Sequence, residues 1–115
     1  MKGSHYFALP TLTRHYEFEI VDVLGHGGFG ITYLAVDTLL QEQVAIKEYL
    51  PNELALRHSD ETVRPKSDSD LEDFKDGLQS FLGEARLLAR LHHPNLLQVR
   101  RFFEVHGTGY IVSRL

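Results

Sequence analysis

The sequence has 115 residues and no cysteine, so it offers one small domain without disulfide bonds or thiolate metal ligands. Its formal net charge of -4 argues against a general nucleic-acid-binding protein, which would need a basic surface to displace counterions. The first residues lack the apolar run of a secretory signal, and no stretch of about 18 consecutive apolar residues could span a membrane. We therefore expect a cytoplasmic protein with neither a nucleic-acid nor a membrane partner.

Alternating side chains predict three strands in the first half of the chain. Apolar and acidic residues alternate in 16–24, and the alternation resumes in 29–37 after a run of glycines, which indicates a hairpin. A third strand, 42–50, is rich in β-branched residues. The charged segment 52–69 is interpreted as a polar surface connection with a short helical turn at 52–57.

One amphipathic helix is predicted next. Its apolar residues step by three and four along a single stripe, namely Phe74, Leu78, Phe81, Ala85 and Leu88. Ser69 and Glu72 have the spacing of a capping box, and Pro94 ends the helical pattern. Gly77 and Gly83 should each weaken the helix by about 1 kcal/mol relative to alanine.

Two further strands, 96–105 and 108–115, are joined by a turn containing Gly107. The resulting order of strand, strand, strand, helix, strand, strand has short links, which favour an antiparallel sheet with a helix on one face. We therefore expect an α+β fold, a five-stranded antiparallel sheet with one major helix. Residues 16–115 would form this domain, and residues 1–15 an N-terminal extension.

The stretch LGHGGFG places glycines at positions 25, 27 and 30, the spacing G-x-G-x-x-G. Glycine lets the backbone bend tightly and approach a bulky anion, so that N–H groups can donate to phosphate oxygens. The same glycines fit a plain tight turn equally well. A dinucleotide-binding fold would need a helix directly after them, and a Walker loop would need Gly-Lys-Ser/Thr; neither follows.

Three motifs together resemble the small lobe of a protein kinase. They are the glycine-rich loop in LGHGGFGITYLAVD, the sequence VAIKEYLP in the third strand, and FLGEARLLARLHHPN in the helix and the turn after it. The sequences of these motifs are similar to those of the bacterial eukaryotic-like serine/threonine protein kinases, and the resemblance covers nearly the whole chain. It implies the kinase small-lobe fold and phosphoryl transfer from ATP to protein serine or threonine.

The resemblance also implies a role for individual residues. Lys47 corresponds to the lysine that pairs with the α- and β-phosphates of ATP, and Glu84 to the helix carboxylate that holds this lysine. Without the resemblance, the two would be an exposed strand lysine and an exposed helix glutamate. The implied nucleotide-binding residues are Leu24, Gly25, His26, Gly27, Gly28, Phe29, Gly30, Thr32, Ala45, Lys47, Ser113 and Leu115. Thr32 replaces the family's usual valine, and Ser113 its larger gatekeeper.

The 115 residues contain no His-Arg-Asp catalytic loop and no Asp-Phe-Gly motif, and Leu115 falls where a kinase would enter its hinge. We therefore expect the ATP-binding small lobe of a serine/threonine kinase that is inactive as this chain alone. Mg²⁺ would bind only with a large lobe supplied in cis or in trans. The alternative is a stand-alone kinase-like small lobe that acts as a non-catalytic binding or regulatory module.

Two expectations concern surfaces. By analogy with kinases, the face that normally meets the large lobe would be apolar and uncovered around Leu88, Val99, Tyr110 and Val112, which would favour a homo-oligomer. Leu88 and Val99 also correspond to packing residues of the regulatory spine. No metal site is expected, because the adjacent His92 and His93 do not share a helix face and no His-x-x-x-His pair occurs in the helix.

Overall fold

The computed structural model describes residues 7–91 and 98–115. The predicted His92–Asn95 turn and the start of the fourth long strand lie outside this part of the chain. The described elements are β1 (Arg14–His15), β2 (Phe18–Gly27), β3 (Gly30–Asp37), β4 (Glu42–Tyr49), β5 (Ala55–Arg57), β6 (Val63–Pro65), α1 (Leu71–Arg90), β7 (Val99–Val105) and β8 (Thr108–Arg114).

The main sheet contains the five predicted strands and one more. Its order is β1-β2-β3-β4-β8-β7, and every pair is antiparallel, which confirms the α+β class. The additional strand, β1, has only two residues and lies at the edge beside β2. The predicted turn between β7 and β8 contains His106 and Gly107, both with positive φ, a geometry that twists two strands into a tight hairpin.

The sheet curls so strongly that its two edges meet through side chains. The rings of Phe18 in β2 and Phe103 in β7 stack with centroids 6.2 Å apart. Beside them, Arg101 Nη1 donates to both carboxylate oxygens of Glu17, at 2.6 and 2.7 Å. The inner face of the sheet therefore becomes the interior of a small barrel-like core.

Strand alternation assigns each residue of β4 to one side of this curved sheet. Val44, Ile46 and Glu48 point inward and are fully buried, whereas Lys47 is exposed on the outer face. Because Glu48 is charged, its burial requires partners. It accepts hydrogen bonds from the hydroxyls of Tyr33 (2.7 Å) and Tyr110 (2.6 Å) and forms an ion pair with Arg57, Nη2 to Oε1, at 2.5 Å.

The segment 52–69 was predicted to be a polar surface connection, and this was wrong. It contains the β5–β6 hairpin, in which Ala55 and Val63 are buried. The predicted helical turn is limited to its first residues, where the N–H groups of Leu54 and Ala55 both donate to the Pro51 carbonyl at 3.0 Å. Arg57 carries the ion pair to Glu48 and also donates to the carbonyls of Phe7 (2.7 Å) and Glu61 (2.8 Å). The guanidinium group of Arg57 thus connects the β5–β6 hairpin to the sheet and to the N-terminal segment.

The N-terminal segment packs onto the same core. Leu9 is buried, and its backbone N–H donates to the Tyr33 hydroxyl at 3.0 Å. His15 is also buried, with its ring 4.6 Å from that of Tyr110. Burial lowers the pKa of His15, since desolvation disfavours the charged imidazolium. Residues 7–15 are therefore an integral part of the lobe.

Helix α1 lies against the outer face of the sheet. Its buried residues are Phe74, Leu78, Leu82 and Ala85, while the predicted stripe residues Phe81 and Leu88 are half-buried. The capping prediction was wrong: the N-cap is Asp70, without a side-chain hydrogen bond, and the Ser69 hydroxyl pairs with that of Ser67 instead. Gly109 in β8 gives α1 room, since a Cβ there would lie 2.9 Å from Leu78 Cδ1.

The expected exposed apolar face is not formed by the residues first assigned to it. Val99, Tyr110 and Val112 are buried within the chain, because α1 and the closed sheet already cover them. Val99 forms a small cluster with Ala85 and Ile111, and Leu88 packs on its edge. Within residues 7–91 and 98–115, no helix is long and apolar enough to cross a membrane.

Candidate functional site

The glycine hairpin, residues 25–30, joins β2 and β3 and projects over the start of the segment after β4. Gly27 pairs with Gly30, so Gly28 and Phe29 form the tip, and the Phe29 side chain is 79% exposed. The tip is held by the chain that follows β4: Leu50 N–H donates to the Phe29 carbonyl and Asn52 N–H to the Gly28 carbonyl, both at 2.9 Å. The hairpin therefore has a defined position over the sheet.

The glycines of this hairpin serve two different purposes. A Cβ added at Gly25, Gly27 or Gly28 would meet no atom within 4 Å, so this backbone faces open space that a ligand could enter. A Cβ at Gly30 would instead overlap the Glu48 carbonyl, because β3 and β4 approach closely there. The structure thus requires glycine at Gly30, where a side chain would not fit, whereas the space beside Gly25, Gly27 and Gly28 is open.

Lys47 lies on the outer face of β4, below this hairpin. In the sheet register it is opposite Thr32 of β3 and Ile111 of β8, so these three side chains share one face. Among the residues that the structure describes, Lys47 forms no ion pair or hydrogen bond. Its ammonium group is available to an anion.

A cavity of about 410 Å³ lies between the glycine hairpin, β4 and α1. It brings together Phe29, Lys47 and Glu84, three of the residues singled out in the sequence. Glu84 is exposed and does not pair with Lys47: no ion pair within the described ranges joins the two. The predicted partners therefore share one cavity but are not in contact.

Other residues implied by the resemblance lie on the sheet outside the lining of this cavity. Ala45 is opposite Ser113 in the register, with Ala45 half-buried and Ser113 buried. Leu24 lies in an irregularity of the β2–β3 pairing and is half-exposed, and His26 is paired with Ile31 near the hairpin tip. Leu115 is exposed beside Arg114, at the end of β8.

The cavity also has walls that the sequence did not assign to a site. They are Tyr49, Pro51, Leu54, Asp73, Gly77, Ser80 and Phe81. Two signals could have found part of this set: Tyr49 is two residues after Lys47 and so shares its face, and Gly77, Phe81 and Glu84 recur at helical spacing. The Tyr49 hydroxyl donates to the Phe74 carbonyl of α1 at 3.0 Å, and burial raises the pKa of Tyr49.

Solved structures place this arrangement in a known fold. The chain superposes on the apo form of PpkA-294 with a TM-score of 0.92 and 46% identity, over 95% of this chain and 39% of that one. It also superposes on the kinase domain of PknI from Mycobacterium tuberculosis, with a TM-score of 0.63, over 94% of this chain and 36% of that one. At 23% identity, the second likeness shows the fold alone.

This chain is the small lobe of a bacterial eukaryotic-like serine/threonine protein kinase. Sequence relatives of this kinase lobe are kinases as well. It is 28% identical over 100 residues to a probable serine/threonine-protein kinase, YbdM, of Bacillus subtilis, and 35% identical over 85 residues to human cyclin-dependent kinase 10. No family model matches the sequence.

The kinase lobe spans only part of its relatives. It covers 32% of the length of YbdM, 18% of cyclin-dependent kinase 10 and 39% of the PpkA-294 chain. Within residues 7–91 and 98–115, no group of three or more histidine or carboxylate side chains is arranged to hold a metal ion. The site thus consists of a glycine hairpin, one free ammonium group and a nearby carboxylate.

Proposed function

We propose that this lobe binds ATP and acts in phosphoryl transfer to protein serine or threonine when a kinase large lobe completes it. The observation that carries the proposal is the shared cavity: Lys47 and Glu84 come from different elements and line one space beneath the glycine hairpin.

The residues present fit a nucleoside triphosphate. The backbone of Gly25, Gly27 and Gly28 faces open space, so its N–H groups could donate to phosphate oxygens. Lys47 has no partner in the described part of the chain and would hold a phosphate by charge, and Glu84, which lines the same cavity, would orient the ammonium group. Ala45, on the same face of β4 as Lys47, and Leu24 of β2 would contact the adenine.

ATP would supply the transferable γ-phosphoryl group. This lobe contributes binding and orientation, whereas the base that accepts the hydroxyl proton and the ligands of Mg²⁺ belong to motifs that these 115 residues lack. We therefore propose that the chain by itself binds ATP weakly and transfers no phosphoryl group. Activity would require the large lobe, in cis or in trans.

Nucleotide binding can be tested by titrating the ¹⁵N-labelled chain with ATP to millimolar concentration and following the amide resonances. We expect shifts at Gly25, Gly27, Gly28 and Lys47. Because Lys47→Met removes a charge-assisted hydrogen bond, it should weaken binding by about tenfold or more. Lys75→Met, an exposed change on α1, is the matched control and should leave binding unchanged. Shifts that avoid the hairpin, or equal effects of the two variants, would contradict the proposal.

The alternative function, a non-catalytic binding module, makes a different prediction for the same variant. A partner that recognises the folded lobe would bind the Lys47→Met variant as tightly as the unchanged chain. Absence of nucleotide-dependent shifts in the unchanged chain, together with partner binding that Lys47→Met leaves unimpaired, would therefore favour the module over the nucleotide-binding lobe.

A further inference from the structure

We propose that Tyr49 and Gly77 form a joint that fixes the position of α1 over β4 and thereby sets the distance between Lys47 and Glu84. Both are positioning residues, since they would act through Lys47 and Glu84. The catalytic meaning of this distance rests on the proposed function, but the distance itself can be measured without nucleotide.

Tyr49 is held firmly on the sheet side. It is paired with Gly30 in the register, and its carbonyl accepts a hydrogen bond of 2.5 Å from the Thr108 hydroxyl. Its side chain is buried and reaches out from the sheet to α1, where the hydroxyl donates to the Phe74 carbonyl at 3.0 Å. A helix carbonyl is thus tied directly to the strand that carries Lys47.

Gly77 provides the space for this contact on the helix side. A Cβ at this position would overlap the Tyr49 hydroxyl oxygen and would lie 3.0 Å from Cζ of the ring. Glycine in a helix costs about 1 kcal/mol relative to alanine, so its presence here has a local cost. The close approach of the Tyr49 ring explains why a larger residue does not fit.

The joint lies close to the Lys47 and Glu84 side chains. Tyr49 is two residues from Lys47 on the same strand face, and Gly77 is two helical turns, about 10 Å, before Glu84 on the same helix face. All four residues line the single cavity described above. Since a helix moves nearly as a rigid body, a displacement at Gly77 carries Glu84 with it.

The separation can be read by zero-length coupling. A carbodiimide activates the Glu84 carboxylate, the Lys47 amine attacks the activated carbonyl, an amide bond forms and a urea leaves. Peptide mass spectrometry then quantifies the Lys47–Glu84 amide and separates it from a product with Asp73, which lines the same cavity. We expect Gly77→Ala to lower the Lys47–Glu84 product by about tenfold, since intramolecular reactions depend steeply on position.

Two further variants make the test specific. Tyr49→Phe removes the overlapping hydroxyl, so Gly77→Ala combined with Tyr49→Phe should regain the product to the level of Tyr49→Phe alone. Gly83→Ala is the matched control: a Cβ there meets nothing within 4 Å, and the coupling should be unchanged. Circular dichroism establishes that each variant is folded, so that lost coupling is not lost structure.

The proposal is overturned if folded Gly77→Ala yields as much Lys47–Glu84 product as the unchanged chain. It is also overturned if the double variant Gly77→Ala with Tyr49→Phe yields less of this product than Tyr49→Phe alone. Absence of the Lys47–Glu84 product from the unchanged chain would also overturn it. Should Gly77→Ala fail to fold, Tyr49→Phe alone decides: reduced coupling supports the joint and unchanged coupling refutes it. Because the readout needs no nucleotide, a failed ATP titration with an intact coupling pattern would refute only the proposed function.

Discussion

Replacement of Arg57 by methionine should destabilise this lobe far more than a change of any exposed arginine. Arg57→Met keeps an apolar chain of similar length but leaves the fully buried Glu48 carboxylate without its cation. Breaking a buried ion pair in this way costs about 3–5 kcal/mol. The hydrogen bonds of Tyr33 and Tyr110 to Glu48 remain, which limits this loss to about 3 kcal/mol.

Arg57→Met also removes the donors to the Phe7 and Glu61 carbonyls, each worth about 1 kcal/mol. The expected total is therefore about 5 kcal/mol, most of the stability of a small domain. Arg64→Met is the matched control on the same hairpin: its ion pair with Asp60 is about half exposed and should contribute less than about 1 kcal/mol.

Urea denaturation followed by circular dichroism measures both changes in the free energy of unfolding. Adding Glu48→Gln to Arg57→Met should recover about 2 kcal/mol, because the side chain is then neutral: the amide oxygen accepts from one tyrosine hydroxyl, and the amide NH2 donates to the other hydroxyl oxygen. The account of the buried ion pair is refuted if Arg57→Met costs no more than Arg64→Met, or if Glu48→Gln gives no recovery.

Two further predictions concern pH and packing. The pKa of His15 is lowered in the folded state, so the buried neutral imidazole contributes its full stability above about pH 6.5, and this contribution is lost as pH falls through the folded pKa. Between neutral and mildly acidic pH, the urea midpoint of His15→Phe should therefore fall less than that of the unchanged chain. Equal falls of the two midpoints would contradict this. Gly109→Ala should destabilise the fold by about 1–3 kcal/mol, because its Cβ would press on Leu78 and Leu82. Gly83→Ala, whose Cβ meets no atom, should instead stabilise α1 by about 1 kcal/mol. Thermal unfolding measures both variants, and equal shifts in their melting temperatures would show that Gly109 is not needed for the packing of α1.

Local patterns were sufficient for the regular elements and for part of the site. The alternation of 29–37 and 42–50 predicted β3 and β4, and the period of three to four predicted α1. These features depend on neighbours within one strand, one helix or one hairpin. The placement of Lys47 and Glu84 together was implied by the resemblance to kinases, and the two line one cavity without forming an ion pair.

Two of the missed features, the burial within 52–69 and the burial of Tyr110 and Val112, depend on contacts between distant parts of the chain. Charged residues in 52–69 indicated a solvated segment, yet the Arg57 side chain is only 6% exposed because it pairs with Glu48, which faces the inside of the sheet. Tyr110 and Val112 were expected at an uncovered face, but closure of the sheet through Phe18 and Phe103 buries them. No local pattern shows which edge of a sheet will meet the other.

The central claim is that Lys47 holds the phosphates of ATP, and an ATP acyl phosphate tests it most directly. In this reagent the amine attacks the acyl carbonyl, an amide forms on lysine and ATP leaves, so labelling reports the lysine that lies beside the bound phosphates. We predict labelling of Lys47 in preference to Lys66 and Lys75, and its suppression by excess ATP. Equal labelling of the three lysines, or labelling of Lys47 that ATP does not suppress, would contradict the claim.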